Sequence, residues 1–197
     1  FYLYVLVAAL TVTTGIFSTV LGRMGERQRS LSRRESLTGC FNRRAFYEIF
    51  PREVERAHRL SHGVSLVFLD IDYFKRINDR YGHETGDRVL QQLAARLQAT
   101  VRETDLLFRW GGEEFVILLA HTAPEDAPVL AERIRAAVEA RPFLEDEAFR
   151  PVRVTVSVGT AGAAEYPIEP DELLARADAA CYRAKEAGRN RVEAAAA

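Results

Sequence analysis

The chain has 197 residues, 48% of them hydrophobic, with 27 Lys and Arg against 28 Asp and Glu. That leaves room for one domain of about 150 residues plus an appendage, and a formal net charge of −1 supplies no general basic field for nucleic acid. The two cysteines, Cys40 and Cys181, are far apart and form no CxxC, so neither a disulfide framework nor a zinc site is indicated; both read as small packing residues in a reducing compartment.

Charge is unevenly placed. Residues 1–22 carry no charged side chain, and as a helix they would extend about 33 Å, enough to cross a bilayer core of roughly 30 Å. Tyr2 and Tyr4 suit an interfacial position, and the absence of a basic leader argues against a secretory signal. Residues 1–22 are therefore expected to be a transmembrane helix. The chain begins at Phe1 rather than Met, which suggests the end of a longer membrane or sensory region. Residues 23–34 follow as a basic juxtamembrane stalk, in which Arg23, Arg27, Arg29, Arg33 and Arg34 less Glu26 leave +4. Basic excess beside a span marks the cytoplasmic side, so the rest is expected in the cytoplasm.

The remainder, 35–193, is expected to be one domain, with 194–197 a disordered alanine tail. Ser36–Arg44 is a turn leading to a helix from about Arg43 to Leu60, with Ala45, Phe46, Ile49, Val54 and Ala57 at helical spacing. His58 and His62 lie near its end and read as surface residues. Val64–Leu69 is a nearly unbroken apolar run, suiting a strand buried on both faces, and it ends in Asp70-Ile71-Asp72. Two acids beyond a buried run cost too much desolvation to serve packing alone.

A loop around Gly82 and Gly86 then leads to a helix from Arg88 to about Arg102, and could bring Asn78 beside Asp87. Such a pair offers donors and acceptors suited to a purine edge. Leu106-Leu107-Phe108 and Val116–Leu119 flank Arg109-Trp110-Gly111-Gly112-Glu113-Glu114-Phe115. The double glycine signals a tight hairpin, and alternation prevents Glu113 and Glu114 from facing the same way. A helix with Ala131, Ile134, Ala137 and Val138 comes next, then an acidic loop from Phe143 to Pro151. The last elements are a strand over Val152–Gly159, a helix capped by Asp171 and running to Ala187, and an edge strand at Val192. This order gives an α+β sheet domain with helices on its faces.

If the strand ending in Asp70 neighbours the hairpin, Asp70 and Glu113 meet at one edge. Oxygen ligands beside Lys75, with no thiolates, suit magnesium bound together with a polyphosphate. No GxxxxGK[ST] loop is present, so this is not a P-loop site. These features point to a metal-dependent phosphoryl or nucleotidyl transferase.

The same residues resemble the GGDEF family of diguanylate cyclases. Ser36–Arg44 resembles its LTG-x-x-NRR, Phe68–Asp79 its FLDID-x-FK-x-IND, His83–Asp87 its H-x-x-GD, and Gly111–Phe115 the GGEEF form of the namesake motif. Ser157-Val158-Gly159, Ala177-Asp178 and Lys185 through Asn190 resemble the closing motifs. The resemblance implies a mostly antiparallel, palm-like sheet flanked by helices, and condensation of two GTP into cyclic di-GMP with release of pyrophosphate. It implies that Asp70, the Ile71 carbonyl and Glu113 hold Mg²⁺, with Mn²⁺ as an alternative, and that Asn78 and Asp87 read guanine, with Phe74 and His83 near the nucleotide. Lys75, Lys185 and Arg189 would hold phosphates, Gly111 and Gly112 would let GTP lie on the hairpin, and Glu113 or Glu114 would help deprotonate the 3′-hydroxyl. Arg102-x-x-Asp105, with Arg133, resembles the product-inhibition site. One GTP per domain implies a homodimer. Glu35 stands where the family usually has Asp, and Cys40 and Cys181 where Leu is common. The alternatives are a silent domain that binds GTP or cyclic di-GMP and only signals, and a purine cyclase with another product.

Overall fold

The central strand is β2, Val64–Ile71. In the computed structural model, which describes residues 32–144 and 151–196, it is buried along its whole length because it lies mid-sheet with helices on both sides. Its alternation divides two cores. Val67, Leu69 and Ile71 face one way, into a core shared with Phe115, Ile117 and Leu119. Val64, Leu66 and Phe68 face the other, with Val116 and Leu118. A continuous apolar run is what burial on both faces requires.

The other strands are β1 (Phe41–Asn42), β3 (Leu106–Gly111), β4 (Glu114–Ala120), β5 (Val156–Ala163) and β6 (Val192–Ala194). Their order is β1-β3-β4-β2-β5-β6. The two outer pairings, β1–β3 and β5–β6, are parallel and the inner ones antiparallel, so the sheet is mixed and antiparallel at its centre. The helices are α1 (Arg43–Arg59), α2 (Phe74–Tyr81), α3 (His83–Thr100), α4 (Ala127–Glu139) and α5 (Pro170–Glu186). α2, α3 and α4 cover the first core; α1 and α5 cover the second. The Asn42 side chain accepts from the Ala45 N–H at 2.9 Å and caps α1.

Several boundaries differ from expectation. α3 begins at His83 rather than Arg88 and stops at Thr100, so Gly86 lies in its first turn and is no loop residue. That glycine is needed for close approach, since a Cβ there would run into the Asn78 side chain and crowd Phe74. β5 begins four residues late and runs on to Ala163; Val152 instead makes an isolated bridge with Phe143. Within β5, Gly159 and Gly162 permit close approach, because a Cβ would strike backbone of α5 and of Pro124 respectively. Asp171 does not cap α5: the cap position is Glu169, without a side-chain hydrogen bond, and Asp171 accepts from the Tyr47 hydroxyl at 2.8 Å. The alanine tail is partly structured, with Ala194 in β6 and the Ala195 N–H donating to Thr160.

The expected span 1–22 and residues 23–31 of the stalk lie outside the described residues. Among the described residues, no helix is long and apolar enough to cross a membrane.

Candidate active site

Strand parity builds the acidic edge. Asp70 continues the Leu66–Phe68 face of β2, and Glu114 continues the Val116–Leu118 face of β4. The register pairs Asp70 with Glu114 on one side and Ser157 on the other. Directly paired residues of antiparallel strands point to the same face, so these two carboxylates share the α5 side. Glu113 lies in the turn, and its carbonyl accepts from the Ile71 N–H at 3.4 Å. The cross-strand partner of Asp70 is therefore Glu114, with Glu113 one residue further round, where its charge still acts on Asp70.

Electrostatics at this edge are those of crowded carboxylates. Burial pushes the Asp70 carboxyl up; the Lys185 ammonium, 2.8 Å from it, pulls it back only in part. Glu114 is also raised, by burial first and then by the charges of Asp70 and Asp178. A divalent cation beside them would reverse both effects. Among the described residues, no three His, Cys, Asp or Glu side chains converge as a ready ion cage. The donor set fits an ion that takes one or two carboxylates plus carbonyl and phosphate oxygens, which is the habit of magnesium.

The turn itself is bare. Gly112 has φ +49°, which favours glycine, whereas Gly111 has no such angle and nothing within 4 Å of where a Cβ would stand. No neighbour within the domain demands glycine at 111, so its bareness leaves open surface beside the acids. The turn is held from behind: Arg109 donates to the Gly112 carbonyl at 2.8 Å and pairs with Glu35 at 3.0 Å. Glu35 also accepts from the Leu37 and Thr38 N–H groups and the Thr38 hydroxyl. Burial alone would raise the Glu35 carboxyl; these donors and Arg109 outweigh it and bring it down to about 2. Glu35 thus completes a link from the start of the domain to the turn.

Asp72, the second acid of β2's end, belongs to the scaffold. It is 5% exposed and accepts from the Thr155 and Ser157 hydroxyls, both at 2.6 Å, and from the Asn190 N–H at 3.0 Å. Its burial is satisfied by hydrogen bonds, contrary to the expectation that both acids serve chemistry.

Around this edge, Lys75 is exposed on the first turn of α2 and Phe74 is buried beside it. Asn78 lies against Gly86, one residue from Asp87, which is exposed on the first turns of α3, as is His83. Arg189 follows α5 with its guanidinium 4.5 Å from the Tyr73 ring centroid.

A second cluster gathers at the far end of β3. Arg102, Asp105 and Arg133 line a cavity of about 380 Å³ with His121, Asp126 and Leu130. The Asp105 carboxylate accepts from the Arg102 N–H at 2.9 Å, and Arg133 donates to the Thr100 carbonyl at 2.8 Å. Burial pushes the Asp105 carboxyl up, with Arg102 and Arg133 opposing. At about 3.4 Å per residue, β3 sets this cavity roughly 17 Å from the hairpin turn. Spacing in the sequence does not single out His121 or Asp126, which arrive from the loop after β4. Two larger hollows, of about 520 and 590 Å³, share no residue with the acidic edge.

The chain is similar to several known proteins. The response regulator PleD of Caulobacter vibrioides is 44% identical over 158 residues, covering 80% of this chain and 35% of that protein. The diguanylate cyclase DgcP of Pseudomonas aeruginosa is 45% identical over 171 residues, covering 86% and 25%. The chain thus spans about a third or less of these two relatives. Among solved structures, the GGDEF domain of DgcB from Caulobacter crescentus, in complex with c-di-GMP, aligns with TM-score 0.77 at 33% identity over 83% of this chain and 96% of that one. The active GGEEF domain of a diguanylate cyclase from Vibrio cholerae aligns with TM-score 0.73 at 36% identity, over 80% and 98%. The model of the family described as "Diguanylate cyclase, GGDEF domain" matches residues 32–191, and the chain belongs to that family.

Proposed function

We propose that the chain is a magnesium-dependent diguanylate cyclase that joins two GTP into cyclic di-GMP and releases pyrophosphate. The observation that carries this reading is the pairing of Asp70 with Glu114, with Glu113 one residue further round, beside an open Gly-Gly turn, in a chain of this family. Bound Mg²⁺, or Mn²⁺ in its place, would neutralise phosphate charge and polarise the reacting phosphorus. Asp70, the Ile71 carbonyl and Glu113 would hold it. Asn78 and Asp87 would accept and donate at the guanine edge, with Phe74 and His83 beside the base. Lys75, Lys185 and Arg189 would take the phosphates; Lys185 is paired with Asp70 at 2.8 Å. Glu114, its carboxyl raised by burial, suits a proton acceptor for the 3′-hydroxyl, with Glu113 the other candidate.

Two copies must face each other, because each supplies one GTP, so the working form is a homodimer. Product would bind at Arg102, Asp105 and Arg133 and slow the enzyme. The neighbour solved with c-di-GMP supports a family site for that ligand. We place residues 1–22 in the inner membrane of a bacterium and the catalytic domain in the cytoplasm, on the strength of the uncharged stretch and the arginines after it. Incubation with Mg-GTP and mass analysis of the products tests the activity: cyclic di-GMP is expected, and unconsumed GTP or another cyclic product refutes it.

A further inference from the structure

Beside the carboxylates, one surface ring gathers two cations. Tyr73 is 49% exposed and adopts φ +57°, a conformation that a bulky residue keeps only where its surroundings hold it. The Arg76 and Arg189 guanidiniums lie over its ring, 4.4 and 4.5 Å from the centroid. Arg76 comes from the first turn of α2, its N–H bonded to the Tyr73 carbonyl at 2.8 Å. Arg189 comes from the loop after α5 and is itself left-handed, at φ +66°.

That loop is fastened. The Asn190 N–H donates to Asp72 at 3.0 Å, and the Asn190 side chain bridges Arg135 and Glu139 at 2.8 Å each. Asp72 therefore fixes the backbone just before Tyr73 and just after Arg189. Among the described residues, neither Arg76 nor Arg189 is in an ion pair with a carboxylate. Two guanidiniums drawn to one ring repel each other, and the negative face of the ring offsets that only in part. What satisfies both is an anion with several charged oxygens, for which the planar fork of arginine is well shaped.

We propose that Tyr73 is a positioning residue that presents Arg76 together with Arg189 to the polyphosphate of the nucleotide, which makes Arg76 a further phosphate-binding residue. This rests on the nucleotide-condensing reading above. The ring does the positioning; the phenol oxygen is not required.

The test uses the whole chain as wild type, Tyr73→Asn, Tyr73→Phe and Arg76→Ala. Asparagine tolerates left-handed backbone without offering a ring, and phenylalanine keeps the ring. Two measurements are made with Mg²⁺ present: GTP turnover, and calorimetric binding of inorganic pyrophosphate. Tyr73→Asn and Arg76→Ala are expected to raise the GTP KM and weaken pyrophosphate binding about three- to tenfold, with kcat within about twofold; Tyr73→Phe should follow wild type. If Tyr73→Asn does not fold, the exposed Arg76→Ala carries the decision. Unchanged pyrophosphate binding in Tyr73→Asn or in Arg76→Ala overturns the proposal, as does Tyr73→Phe losing as much as Tyr73→Asn. If wild type binds pyrophosphate with the expected pattern but makes no cyclic di-GMP, the positioning role stands and the cyclase reading falls.

Discussion

Replacing Glu35 with Gln should loosen the GGEEF turn from behind and leave a pH signature. The carboxylate holds two backbone N–H groups, a hydroxyl and Arg109, and Arg109 in turn holds the Gly112 carbonyl. The fall from the ordinary 4.5 to about 2 corresponds to roughly 3 kcal/mol if taken whole. With the Glu35 side chain 24% exposed, solvent screening reduces that, and about 1.5 kcal/mol is a fair expectation. The sign follows from linkage: a carboxylate whose folded value is depressed stabilises the fold above its unfolded value, and loses that contribution as pH falls towards 2. Urea unfolding of wild type and Glu35→Gln, taken from pH 7 to pH 3, should therefore give a gap of about 1.5 kcal/mol at neutral pH that narrows below about pH 4.5. A constant gap across that range, or none at pH 7, would refute the argument that the charge of Glu35 holds the turn.

Asp70→Asn or Glu113→Gln should abolish GTP turnover with the circular dichroism spectrum unchanged; near-wild-type cyclic di-GMP production by either would sink their assignment as metal ligands. Asp87→Ala should cost guanine its acceptor, about 1.5–3 kcal/mol of discrimination, read as a reduced preference for GTP over ATP in competition assays. Arg102→Ala should give a cyclase that keeps running as product accumulates, seen as a progress curve that stays linear where the wild type bends over. A piece from Glu35 onward should lose specific activity on dilution, and fusion to a dimeric coiled coil should restore it; activity that stays flat while the piece sediments as a monomer counts against the dimer.

Apolar spacing made the core strands legible. Val64–Leu69 announces a buried strand and the Gly111-Gly112 pair announces the hairpin, because each signal is local. The end of β2 was half legible: Asp70 and Asp72 look alike in sequence, and only the fold shows that Thr155, Ser157 and Asn190 occupy one of them. The register that sets Asp70 opposite Glu114 rather than Glu113 depends on where the turn closes, with Trp110 bulged out of the ladder, and no spacing rule supplies that. The run of β5 to Ala163 is hidden because Gly159 answers to the helix above it and Gly162 to the loop at Pro124, neighbours invisible to a reading along the chain. The link from Glu35 to Arg109 was hidden for the same reason: its partners lie on segments far apart in sequence.

The missing side chain at residue 159 sets how low α5 can ride on the sheet. A Cβ there would meet the Ala177 carbonyl and the Cys181 N–H, and the Cys181 thiol, pushed up to about 12 chiefly by burial, is tucked against the Ser157 carbonyl at 3.2 Å. Lys185 comes one helical turn later and meets Asp70 at 2.8 Å. Helix and strand thus form a pair of jaws whose gap is gauged by a single hydrogen atom at Gly159. One methyl group added there would wedge the jaws apart and draw the lysine off the carboxylate, although residue 159 itself touches neither of them.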